Sequence, residues 1–127
     1  MKYSVVVFSL LITLISCEEY NEDIIEIAGI YQASLVGVNG SFDMPISIDY
    51  GDNIAIEAPF DGFVWDIVYA DVDCTDCDVK EIDIEEQQLG EGVFIEGSGV
   101  YSFGTVQLDY VMYIYNEEYY FTLIASK

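Results

Sequence analysis

The chain has 127 residues, is 53% hydrophobic, and sets 24 acidic residues against three lysines with no Arg and no His, for a net charge of −21. That balance excludes nucleic-acid binding, which neutralises phosphates with Lys and Arg, excludes a polybasic membrane patch, and repels anionic substrates. Disorder requires low hydrophobicity as well as high charge, and 11 Tyr with 7 Phe point instead to a single domain with a real core.

The first stretch, Met1 to Cys17, reads MKYSVVVFSLLITLISC. Lys2 and the amino terminus precede an apolar run from Tyr3 to Ile15. The run is too short for a permanent span of ~20 residues and suits the core of a signal peptide. Ser16 is small but Leu14 is not, so the ordinary small-x-small cleavage pattern is absent. Leu14-Ile15-Ser16-Cys17 instead resembles the lipobox of bacterial lipoproteins. That resemblance implies a cleaved signal peptide over residues 1–16 and an acylated Cys17, hence a lipid-anchored extracytoplasmic protein. Beyond Cys17, Lys80 and Lys127 are the two bases against all 24 acids, a side-chain balance of −22. Residues 17–26 are acidic and aperiodic and read as a tether. Acidic residues directly after the Cys also resemble the surface-export signal of some Gram-negative lipoproteins. The expected location is therefore the outer membrane, on its periplasmic or cell-surface side.

From Ile27 to Lys127 the pattern is strand, turn, strand. Ile27 to Gly37 is apolar on both faces, and Asn39-Gly40-Ser41 is turn chemistry. Ile46, Ile48 and Tyr50 alternate with Ser47 and Asp49. After Gly51-Asp52-Asn53, Ile54, Ile56 and Ala58 share a face, and Pro59 closes the run. Phe63, Trp65, Ile67 and Tyr69 form the next expected inward face. Ile82 and Ile84 alternate with Glu81, Asp83 and Glu85. Val93, Ile95 and Tyr101 share a face beyond Gly90 and Gly92. Val106, Leu108, Tyr110, Met112 and Ile114 make the clearest strand, and Tyr119, Phe121, Leu123 and Ala125 the last. About eight short strands at spacings of roughly 8–12 residues indicate an all-β fold. Short connections favour antiparallel hairpins, and closure into an up-and-down barrel removes the exposed edges. Gly97-Ser98-Gly99 suits a bent barrel strand.

Gly29-Ile30-Tyr31 at the start of the first strand is similar to the Gly-x-Trp that opens lipocalins and other calycins, with Tyr for Trp. Ile82-Asp83-Ile84 through Gln87, Ile95-Glu96-Gly97-Ser98-Gly99 and Leu108-Asp109-Tyr110 resemble the lipocalin-like lipoproteins of Gram-negative bacteria. The resemblance implies a lipocalin-like barrel over residues 27–127. A barrel of eight strands is just wide enough to be filled by its own side chains or to hold one small ligand.

Chemistry-bearing residues are few. Asp71, Asp73, Asp76 and Asp78 crowd the sequence DVDCTDCD, where carboxylates could hold calcium. The EF-hand spacing fails there, because Asp76 stands where Gly is required and Ile82 where Glu is. A solvated acidic loop is the simpler reading. Cys74 and Cys77 remain as an even pair beside an acylated Cys17 and are expected to form a disulfide. Thioredoxin-like chemistry needs cations that lower a thiol pKa, and zinc needs more ligands than two thiolates. Nucleophilic catalysis lacks its usual His base, so no enzyme and no cofactor are expected. Nine rings are expected inside: Tyr31, Tyr50, Phe63, Trp65, Tyr69, Tyr101, Tyr110, Tyr119 and Phe121. They should nearly fill the barrel and leave at most a small cavity reached beside Trp65, with Trp65, Tyr31, Tyr69 and Tyr110 as candidate ligand contacts. Two functions compete: a module binding a small neutral or apolar ligand, and an interaction protein with a filled barrel that binds a protein partner. An internal cavity would favour the first, and a filled barrel with an exposed apolar patch the second.

Overall fold

The computed structural model describes residues 22–74 and 78–127. The expected signal peptide, Cys17, Asp76 and Cys77 lie outside the described residues. Eight strands follow one another: β1 (Gly29–Leu35), β2 (Phe42–Tyr50), β3 (Asn53–Ala58), β4 (Asp66–Cys74), β5 (Val79–Gly90), β6 (Val93–Ser102), β7 (Thr105–Ile114) and β8 (Glu117–Ser126). Each pairs antiparallel with the next, and β8 returns to β1 through Gln32–Ser126 to Leu35–Leu123, closing an up-and-down barrel.

The alternation in β7 explains the closure. Val106, Leu108, Tyr110 and Met112 are buried, while Thr105, Gln107 and Asp109 are exposed. Ile54, Ile56 and Ala58 of β3, Ile82 and Ile84 of β5, and Leu123 and Ala125 of β8 face inward in the same way. The tight hairpin between β7 and β8 places Tyr115 and Asn116 at φ 50 and 71. Two consecutive positive φ values match the strand twist in a two-residue turn.

β4 reverses the expected face. Its buried residues are Val68, Ala70 and Val72, whereas Ile67 and Tyr69 are exposed and Phe63 and Trp65 precede the strand. Both faces of this strand are apolar, so alternation alone does not choose between them, and a one-residue slip flips every side chain. Pairing chooses: Ile56 lies opposite Val68 and Ile54 opposite Ala70, which continues the inward rows of β3. Tyr50 turns outward after a bulge between Ile48 and Tyr50. Of the nine rings expected inside, Tyr31, Tyr101 and Tyr110 are buried and Phe121 is half-buried; Tyr50, Phe63, Trp65, Tyr69 and Tyr119 are exposed. Phe60, outside the expected set, is buried in their place.

The segment read as a tether is partly built into the barrel. Glu22–Ile27 form a 3-10 helix, and Ile24 and Ile27 bury completely against one end of the core. Along β5, the register against β6 shifts between Ile84 and Gln87 and again between Gln88 and Gly90. The β4–β5 ladder runs from Cys74–Lys80 to Asp71–Asp83. Beyond it the Gln87 side chain stands in for a peptide group. Its Nε2 donates to Tyr69 O and its Oε1 accepts from Tyr69 N, both at 2.9 Å.

Candidate functional site

The barrel interior holds one hydrophobic core cluster that runs from Ile24 and Ile27 at one end to Phe60 at the other. Both ends are stoppered. At the helix end, Tyr31 donates to Ile27 O at 2.6 Å and Tyr101 to Glu26 O at 3.4 Å. Burial, then the neighbouring Tyr101 and Glu26, hold the Tyr31 hydroxyl well above the usual tyrosine range. The two lysines of the barrel converge here. Lys80 is fully buried, 3.4 Å from the Glu26 carboxylate and 5.2 Å from the Tyr101 ring centre. Lys127 donates to Glu26 O and, at 2.9 Å, to Ala28 O, and lies over the Tyr31 ring at 5.3 Å. Its stem fills the space beside Gly29, where a Cβ would meet Lys127 Cδ at 3.2 Å and where φ is +151.

At the opposite end the β3–β4 loop turns one ring in and three apolar side chains out. Asp61 Oδ1 accepts from the backbone N–H groups of Phe63 and Val64, both at 2.8 Å, which fixes the turn. Phe60 points inward, edge-on to Tyr110 at 5.6 Å, and Tyr110 donates to Phe60 O at 2.7 Å. Burial, with Asp61 nearby, raises the Tyr110 pKa as well. Phe63 is 87% exposed, Val64 59% and Trp65 48%, and on the adjacent β1–β2 loop Val36 and Val38 are exposed too. The Trp65 ring rests edge-on against Phe42 at 5.6 Å. A hollow of about 190 Å³ between the two loops is lined by Leu35, Val38, Phe42 and Pro59 among others. This loop end carries an apolar crown of exposed Val36, Val38, Phe63, Val64 and Trp65 on a strongly acidic protein.

The outer wall carries a second feature. A groove of about 710 Å³ crosses β5 to β8 over the row Ile84, Gly97, Tyr110 and Phe121. Its sides carry Asp83, Glu85, Glu86, Glu96 and Asp109, with the exposed ring of Tyr120 and half-buried Val111. Tyr113 donates to Glu96 Oε2 at 2.8 Å, and that bond is the main reason its pKa is pushed up to about 12. Thr122 donates to Asp109 Oδ1 at 2.7 Å and Gln107 to Oδ2 at 3.1 Å. On the β4 side, Asp71, Asp83 and Glu85 bring carboxylate oxygens within 4.8 Å of one another, the one such trio among the described residues. Such a trio could hold a hard divalent cation, and Asp71 is its sole member from the expected calcium loop. Asp73 and Asp78 are exposed outside it.

The candidate ligand contacts do not form one site. Tyr31 lies at the helix end, Tyr110 under the loop end, Trp65 on the crown and Tyr69 on the outer wall beside Gln87. Sequence reasoning missed Phe60, whose signal was Pro59-Phe60-Asp61-Gly62, an apolar ring inside a turn. Cys74 is disulfide-bonded, while Cys77, its expected partner, is outside the described residues. Comparison with protein-family models, with curated proteins and with solved structures finds no match to this chain.

Proposed function

We propose that this chain is a lipocalin-like, lipid-anchored extracytoplasmic protein that works as an interaction module, with a filled barrel holding its apolar crown away from the membrane. The observation that carries the reading is the β3–β4 loop, which spends Phe60 on plugging the barrel and turns Phe63, Val64 and Trp65 to solvent. Exposed apolar side chains that adjoin one another mark association surfaces. Aromatic residues, Trp above all, are the usual anchors of such surfaces. The direction of presentation follows from topology. The 3-10 helix begins at Glu22 on the end opposite the crown, and an anchor at Cys17 would hold that end toward the bilayer. A packed core leaves a small apolar ligand little room between the two stoppers.

Two measurements test this. Cys17→Ser should abolish partition into membranes, and unchanged partition would refute the anchor. A photo-crosslinking amino acid at Phe63 in intact cells should give a discrete adduct that Val64→Asp removes, while the same group at Asp49 on β2 gives none. No adduct at Phe63 would refute the crown as a docking surface.

A further inference from the structure

The groove across β5 to β8 runs over Gly97, and Gly99 lies under the hollow beside it. Gly97 and Gly99 belong to the inward rows of β6, and the wall packs directly on their backbone from β7. A Cβ on Gly97 would meet Asp109 O and lie 2.6 Å from Tyr110 Cα. Side chains at those positions would hold β6 away from the axis; without them the outer surface is hollow there. A further hollow of about 540 Å³ continues over Gly99 toward β4.

The chemistry of the groove is mixed in a particular way. Half-buried Val111 and the Tyr120 ring make an apolar bed, and the carboxylates stand at its margins. Glu96 and Asp109 are already held by Tyr113, Thr122 and Gln107, so they offer fixed charge with little ordering left to do on binding. Tyr120 is 76% exposed and its hydroxyl donates to Glu118 at 2.9 Å, which holds the ring in place. A cation on a long apolar stem fits such a surface: the stem lies on the bed, and the head meets a carboxylate or an aromatic face. The groove is open along its length across four strands. Small-molecule sites enclose most of their ligand, whereas an open trough suits an extended chain.

From this complementarity of charge and shape we infer that the groove is a docking site for an extended, Lys- or Arg-rich segment of a protein partner. It goes beyond the crown proposed above and uses a different wall of the barrel.

The test uses the full chain in neutral detergent, titrated calorimetrically with a capped peptide alternating Lys and Val over about eight residues, ~26 Å when extended. The variant Asp83→Asn/Glu96→Gln/Asp109→Asn should bind about tenfold more weakly, the sum of three exposed charge contacts. The control Asp43→Asn/Asp49→Asn/Glu57→Gln removes equal charge from β2 and β3 and should weaken binding less than about twofold at physiological salt. Tyr120→Ala should weaken binding about threefold. Equal losses in the two triple variants would mean that the net charge alone attracts the peptide, and would overturn the site. Spermine binding as tightly as the peptide, with the same loss in the groove variant, would overturn the peptide as occupant. Val64→Asp should leave the titration unchanged; loss of binding in that variant would place the peptide at the crown and refute this inference, whereas a failed crosslink at Phe63 leaves it standing.

Discussion

Removing the plug at the loop end should be among the most damaging single changes. Phe60 is 1% exposed and sits edge-on to Tyr110 at 5.6 Å, and Tyr110 stacks on Phe121 at 5.5 Å. Phe60→Ala removes the first ring of this series and leaves a void that a closed barrel wall cannot collapse to fill. Buried Phe→Ala changes cost about 3–5 kcal/mol, which in a domain of about 100 residues lowers Tm by roughly 15–25 °C. The backbone carbonyl of Phe60 still accepts from Tyr110 in this variant, so the loss is one of packing. Tyr110→Phe makes the complementary change: it keeps the ring and deletes the hydrogen bond, at about 1 kcal/mol. Guanidinium unfolding followed by far-ultraviolet circular dichroism measures both, and contact between the two residues makes the double variant depart from additivity. A loss below about 1 kcal/mol for Phe60→Ala, or a larger loss for Tyr110→Phe, would show that the loop does not plug the barrel.

Other expectations follow from single positions. Gly97→Ala forces a Cβ against the β7 backbone and should cost at least ~1–3 kcal/mol, whereas Gly90→Ala enters open space and should change stability by less than ~1 kcal/mol; equal effects in denaturant titration would refute the close approach. Gln87→Ala deletes both bonds to Tyr69, so the Tyr69 amide should exchange hydrogen much faster while amides paired within β6 and β7 are unchanged. Alkali should unfold the barrel in step with tyrosine ionisation. Burial raises Tyr31 and Tyr110, so their contribution to stability is complete below the unfolded value of ~10 and is lost as pH climbs above it toward the folded values. Ultraviolet titration should find these two ionising only with unfolding, and a titration in which all tyrosines ionise in the folded protein would contradict their burial.

Where one face of a strand is polar, the sequence was enough. The alternation of Val106, Leu108, Tyr110 and Met112 with Gln107 and Asp109 fixes both the strand and its inner face, and the same holds for Ile82 and Ile84 in β5. Where both faces are apolar, it was not. Ile67 and Tyr69 compete with Val68 and Ala70, and the decision comes from pairing with β3, a contact that local pattern does not encode. The stoppers were illegible for a related reason. Ile24 lies in an acidic segment with no period, Ile27 at the very start of the strand pattern, and Phe60 in a turn; each is buried by its position over a barrel end rather than by a repeat. The groove was partly legible. Gly97 and Gly99 marked β6 as unusual, but which carboxylates gather around them depends on the register shifts of β5 at Ile84–Gln87 and Gln88–Gly90.

The proposed function requires that the barrel be full. Xenon pressurisation of crystals tests this most directly, because xenon occupies dry apolar cavities. No xenon should enter between the two stoppers, among Ile56, Val68, Leu108 and Leu123, in the wild-type protein, and a new xenon site should appear beneath the loop end in Phe60→Ala. An ordered xenon atom or a bound lipid inside the wild-type barrel would contradict the filled barrel and restore the reading of a small-ligand carrier.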